Sequence, residues 1–193
     1  MAFLMPAPRL LLVVSLVGTT ACKKPSDTGE MPWREKKTSQ LVFGPHAIAI
    51  PPGWRDVSEL DTNEFPLGPG LVAMTPEKIA DGAGRSNIVL GWVAYPANSI
   101  DPRNPPCAEL AAMVAKEYKS TASDIARIAV DGDAGCRSTY ANSDARVLQR
   151  VRFQGDHQLV VQWTRMSTLG NADAGGDKRV WQDVLSKLHF PAD

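Results

Sequence analysis

Three cysteines, Cys22, Cys107 and Cys136, and three histidines, His46, His157 and His189, are the side chains here best equipped for nucleophilic, acid–base or metal chemistry. Neither Cys107 nor Cys136 has a second cysteine or a histidine beside it at ligand spacing, so neither marks a metal site. The histidines sit beside a turn, in a hairpin loop and at a helix end, and only tertiary structure could bring them together. No Gly-x-Ser-x-Gly, P-loop or His-Glu-x-x-His is present, and no catalytic residue is nominated. A triad is geometric and leaves no necessary trace in sequence. The run Asn171 to Asp177 spaces oxygen ligands alternately, as a calcium loop does. Its fifth and twelfth places are Gly175 and Gln182, where carboxylates belong, so a Gly-rich loop leading into a helix is expected instead. No metal and no cofactor is expected. Arg146, Arg150 and Arg152 alternate along one strand. A solvated strand face is expected for them, against an acidic partner or headgroup, although Leu148 among them hints at partial cover by a helix.

Cys22 stands apart because of what precedes it. A single basic residue, Arg9, is followed by LLLVVSLVGTTAC, an apolar run from Leu10 to Val17, a break at Gly18 to Thr20, small Ala21 and then the cysteine. The run has the length of a signal-peptide core and is too short to cross a bilayer. Pro6 and Pro8 before it and charges after it also disfavour an uncleaved helix. The stretch resembles the lipobox of bacterial lipoproteins. Ala21 and Cys22 match, while Thr19 departs from the commoner Leu. The resemblance implies that the Cys22 thiol is diacylglycerated, that the chain is cut between Ala21 and Cys22, and that the new amino group is acylated, with palmitate or a similar chain. Several acyl chains at about 0.8 kcal/mol per buried methylene would hold the protein at a membrane permanently. The alternative is an ordinary signal peptide cut after Ala21, leaving a free N-terminal thiol. Lys23, rather than Asp, follows the cysteine, which leans towards the outer membrane. The expected location is the cell envelope, lipid-anchored and facing the periplasm.

With Cys22 assigned to lipid, Cys107 and Cys136 form an even pair in an oxidising compartment, and a disulfide is expected. The alternative is two separate buried thiols. The 193 residues divide into a signal peptide (1–21), a polar, Lys- and Glu-rich tether with Pro25 and Pro32 (22–40), and one domain (41–193). With 21 basic and 21 acidic residues there is no charge excess to recruit nucleic acid. The expected partners are the bilayer, through acylated Cys22, and an envelope protein.

The elements that must position any site follow from pattern. Leu41 to Phe43 and Ala47 to Ile50 read as strands around Gly44-Pro45, and further strands fall at Leu71 to Thr75 and Asn87 to Tyr95. Pro105-Pro106 opens a helix from Cys107 to Lys119 with Leu110, Met113, Val114 and Tyr118 on one face. Ile125 to Val130, a turn at Asp131 to Asp133, and Cys136 to Asn142 follow. Ala145 to Phe153 and Leu159 to Arg165 form a hairpin. A three-residue connection, Gly155-Asp156-His157, would put Phe153 opposite Leu159 and both apolar sets on one face. A two-residue turn would set Arg152 opposite Leu159. Asp177 is expected to cap a last helix with Val180, Trp181, Val184, Leu185 and Leu188 buried, and Phe190 packs behind it.

That order makes an α+β domain, an antiparallel sheet flanked by helices. FGPHAIAIPPGWRD, QLVVQWTR and the terminal VWQDVLSKLHF resemble the PsbP-like domain, whose members include bacterial lipoproteins of the DcrB type. The resemblance covers roughly residues 41 to 190. It implies an α/β/α sandwich with a role in binding or assembly, and no catalytic residues. The leading expectation is therefore a non-enzymatic lipoprotein whose domain binds or scaffolds envelope components. The alternative is an envelope hydrolase with a site assembled only in tertiary structure.

Overall fold

The structure is a computed structural model that describes residues 39–58, 69–77, 86–95, 99–166 and 174–192. The expected signal peptide, Cys22, the expected tether up to residue 38 and Asn171 to Asp173 lie outside them. In chain order the elements are β1 (Gln40–Phe43), β2 (His46–Ala49), β3 (Trp54–Asp56), β4 (Leu71–Pro76), β5 (Asn87–Ala94), α1 (Cys107–Glu117), β6 (Thr121–Val130), β7 (Asp133–Ala141), β8 (Ala145–Gln154), β9 (His157–Met166) and α2 (Ala174–Lys187). Seven strands form one antiparallel sheet in the order β3-β4-β5-β9-β8-β7-β6, and β1 and β2 pair separately. The molecule is α+β.

The β8–β9 hairpin departs from the expected register. Its connection is the two-residue turn Gly155-Asp156, with Gln154 paired to His157 and Arg152 to Leu159. Gly155 has φ +59°, the left-handed value that the first central position of a type II′ turn requires. The physical reason is that both faces of these strands are covered, so the two apolar sets need not share one. Val151 and Phe153 pack with Cys136, Cys107 and Leu110 under α1. Leu159, Val161 and Trp163 pack on the opposite face with Trp181, Val184, Leu185 and Leu188 of α2 and with Leu41, Phe43 and Ile48 of the first hairpin. The rings of Trp163 and Trp181 lie 5.9 Å apart at 28°.

The arginine strand face is correspondingly not solvated. Arg150 is 2% exposed with its guanidinium carbon 6.0 Å from the Trp181 ring centre, Arg152 is half-buried, and only Arg146 of the three is exposed. The cover hinted at by Leu148 is α2. Asp177 does not cap α2. The helix begins at Ala174 and Asp177 lies in its first turn, where a carboxylate suits the positive end of the dipole. Met113 is 50% exposed and Ala111 takes its place in the contact between α1 and the sheet, beside Val114 and Tyr140. Strand β6 starts earlier than expected, at Thr121, and β7 starts at Asp133, so Cys136 sits inside its strand.

Cys107, the first residue of α1, is disulfide-bonded to Cys136, with Cα atoms 5.5 Å apart. Pro106 offers no side-chain cap, so the bridge is what fixes this helix end on the sheet. Both helices stop in the same way. Lys119 and His189 adopt left-handed φ, and the following Ser120 and Phe190 N–H groups reach back five residues to Ala115 and Leu185 carbonyls. This is a Schellman end, with Phe190 as its buried apolar contact.

Candidate functional site

A row of paired positions on the α2 face runs Trp92, Leu159, Arg152, Gly135, Ile128 across β5, β9, β8, β7 and β6. Strand parity places Ala94, His157 and Gln154 one step nearer the turns on the same face. Diagonal neighbours across a ladder lie within reach of aromatic rings, and His157 stacks on Trp92 at 5.0 Å with the planes 7° apart. His46 meets Trp92 edge-on at 5.2 Å, and Phe43 lies 5.6 Å beyond. The sequence permits this approach at Gly44. A Cβ there would lie 2.3 Å from Trp92 Cγ and Cδ1, and φ is +56°. Trp92 is thus held between the first hairpin and the β8–β9 turn.

Arg152 is the electrostatic centre. Gly135 pairs with it, and a Cβ there would lie 2.3 Å from the Val151 carbonyl oxygen. The Arg152 guanidinium reaches Asp133 at 2.9 Å and Asp131 at 3.4 Å. Asp131 also takes His189 Nδ1 at 2.8 Å, linking the α2 terminus to the β6–β7 turn. The charge on Arg152 extends to His46. Burial first, and that charge second, hold the His46 imidazole below its ordinary pKa, and its buried Nε2 has no hydrogen-bond partner among the described residues. On the other side, Asp156 and His157 Nδ1 lie 2.6 Å apart, and this hydrogen bond is the main cause of the lowered Asp156 pKa. Tyr95 secures the turn, donating its hydroxyl to the Gly155 carbonyl and its N–H to that of Asp156.

Tertiary structure therefore gathers the three histidines at one end of the sheet. His46 and His157 share Trp92, and His189 joins through Asp131 and Arg152. Sequence reasoning named all three histidines and Arg152 but missed Trp92, the residue that connects them. Its only local signal is its position after Gly91 in an otherwise apolar strand.

The carboxylates are engaged with Arg152 or histidine, and among the described residues no group of three His, Cys, Asp or Glu is placed to hold a metal. Two concavities lie in the described structure, and no described histidine lines either. One, of about 30 Å³, lies between α1 and the sheet, with Leu110, Val114, Tyr140 and Gln149 in its walls. It has room for ordered water. Tyr140 donates to Gln149 Oε1 at 3.2 Å, and burial raises the pKa of its phenol. The other is an open groove of about 590 Å³ along β6.

No family model matches the chain, and no curated protein matches it. Among solved structures it is similar to a Pseudomonas aeruginosa protein of unknown function, at 14% identity, over 80% of this chain and 96% of that one, with a TM-score of 0.46. A likeness of that degree carries no argument about function.

Proposed function

We propose that the protein is a bacterial envelope lipoprotein, acylated at Cys22 and facing the periplasm, whose domain is a non-catalytic binding module. Its docking face is the end of the sheet built around Trp92, His157, Arg152 and His189. The observation that carries the binding role is the fixed presentation of half-buried Trp92 between His46 and His157, on the same face as half-buried Arg152. Trp and Arg held rigidly by their neighbours are the residues that concentrate energy at interfaces, because little side-chain entropy is lost on docking. The seven-stranded antiparallel sheet with helices against it, the Pro-Pro-Gly segment that leads from β2 into Trp54 of β3 and the terminal helix followed by buried Phe190 support a PsbP-like assignment. The anchor rests on the lipobox resemblance, and Lys23 after the cysteine favours the outer membrane.

Intact mass of protein extracted from membranes tests the anchor. The wild type is expected to carry the added mass of lipid and to lack residues 1–21, and Cys22→Ser is expected to lose the lipid. A wild type of unmodified peptide mass would refute it. The Asp156–His157 pair gives the rival hydrolase its one foothold. Turnover of a p-nitrophenyl ester, lost in His157→Gln, would favour that rival.

A further inference from the structure

On the opposite side of the turn end from Trp92, the sheet finishes in an edge that no described strand pairs with. Strand β6 is the outermost strand, and its hairpin with β7 closes at the pair Val130 and Asp133. Bonded and non-bonded pairs alternate in an antiparallel ladder. Val130, Ile128 and Ala126 therefore turn their backbone groups to β7, while Arg127 and Ala129 turn theirs outward. Among the described residues no backbone hydrogen bond reaches those outward groups. Arg127 and Ala129 both line the open groove, which lies between this edge and Pro102-Arg103.

Of the charged residues that line the groove, Arg103 and Arg127 are basic and Asp133 is acidic. Arg103 and Arg127 are exposed, and no described side chain pairs with either. The neighbouring carboxylates are occupied: Asp133 and Asp131 by Arg152, Asp131 also by His189, and Asp156 by His157. Asp101, on the facing loop, is turned back onto the Arg103 N–H at 2.9 Å. Upstream the edge is closed to pairing. The register shifts between Ser123 and Ala126, Asp124 has φ +50°, and its carboxylate meets Arg137 at 3.0 Å. A bulge of this kind stops indiscriminate edge-to-edge pairing and leaves only the short stretch after it available.

We propose that this groove receives an extended acidic segment of a partner protein. The segment adds as a short strand to the outward groups of Arg127 and Ala129 and sets its carboxylates against Arg103 and Arg127. Backbone pairing supplies the geometry, and the two guanidinium groups select for acid. The groove adjoins the Trp92 end, with Asp133 and Gly155 in its lining, but the residues that would hold the segment, Arg103, Arg127 and Ala129, are not among those of the Trp92 face.

The test is fluorescence anisotropy of a labelled, end-capped peptide of alternating Glu and Val, titrated with the full-length protein in detergent. A Lys–Val peptide of equal length is the control. The Glu–Val peptide is expected to bind and the Lys–Val peptide not to, and Arg103→Glu with Arg127→Glu is expected to weaken binding at least tenfold. Ala129→Pro removes only an outward N–H, a change that edge strands tolerate. It is expected to weaken binding similarly with unchanged circular dichroism. Should Ala129→Pro disturb the fold, the arginine variants alone decide. Equal binding of both peptides, absence of binding, or wild-type affinity in the folded variants would overturn the proposal. So would a wild-type dimer in sedimentation that folded Ala129→Pro dissolves, which would assign the edge to a second copy of this chain.

Discussion

Gly44 and Gly155 have nearly the same left-handed backbone, φ +56° and +59°, yet their surroundings differ completely. A Cβ at Gly155 would meet nothing within 4 Å, whereas at Gly44 it would enter the Trp92 ring. Alanine at either position incurs the left-handed backbone penalty, about 1–2 kcal/mol. Only Gly44→Ala must also displace Trp92. In urea unfolding Gly44→Ala is expected to lose more stability than Gly155→Ala, and equal losses would mean that the first hairpin does not rest on the tryptophan. His46 allows a second test at this scale. Its folded pKa lies below the ordinary value near 6.5, from burial first and Arg152 second, so the unfolded chain takes up the proton first as pH falls. Its contribution is intact above about 6.5, declines as pH falls below that value, and is fully lost below the folded pKa. His46→Gln is expected to flatten the wild-type decline in stability between pH 7.5 and 5.5, measured by urea midpoints, and identical slopes would contradict the account. The histidines were legible as residue types, but their association was not. No local pattern encodes a contact made through a tryptophan about 45 to 65 residues away along the chain.

Among the elements, α2 was the most legible. The stripe Trp181, Val184, Leu185 and Leu188 is buried as its spacing implies, and only Val180 is left half-exposed. Trp181→Ala removes a fully buried ring that stacks on Trp163 and lies beneath Arg150. A loss of about 3–5 kcal/mol is expected in chemical denaturation, and a loss below about 1 kcal/mol would mean that α2 is not held through this residue. Helix α1 is held differently, by small residues and the bridge at its first turn. Replacing both Cys107 and Cys136 by Ala is expected to lower stability by about 3–4 kcal/mol in the chain-entropy account of a loop of this length. The same midpoint in wild type and variant would show that α1 needs no staple. The register of β8 and β9 was misread for a definite reason. Alternation identifies which residues share a face but not how many faces are covered. Assuming one covered face demanded a three-residue connection, whereas helices on both faces make the two-residue turn at Gly155 the favourable one. A one-residue slip exchanges the faces, so this single choice also decided whether Arg150 and Arg152 met solvent or α2.

At the scale of the molecule, the chain leaves β5, crosses by α1 to the far edge at β6, and returns through β7 and β8 until β9 pairs with β5. That closure joins residues about 65 positions apart, Trp92 with Leu159, and creates the row in which Arg152 and Trp92 share a face. The α+β class followed from the order of elements, but the crossover is a property of the whole chain, and the site depends on it. The central claim is that this assembled end, carried on a lipid anchor, is where the protein docks. Site-specific photo-crosslinking in intact bacterial cells tests it most directly, with a crosslinking residue at Pro45 or His189 on that end and at exposed Met113 on the outer side of α1 as control. The account expects the same discrete adduct from Pro45 and His189, none from Met113, and loss of the adduct in Cys22→Ser. Adducts of equal yield from all three positions, or none from Pro45 and His189 in the anchored protein, would contradict it.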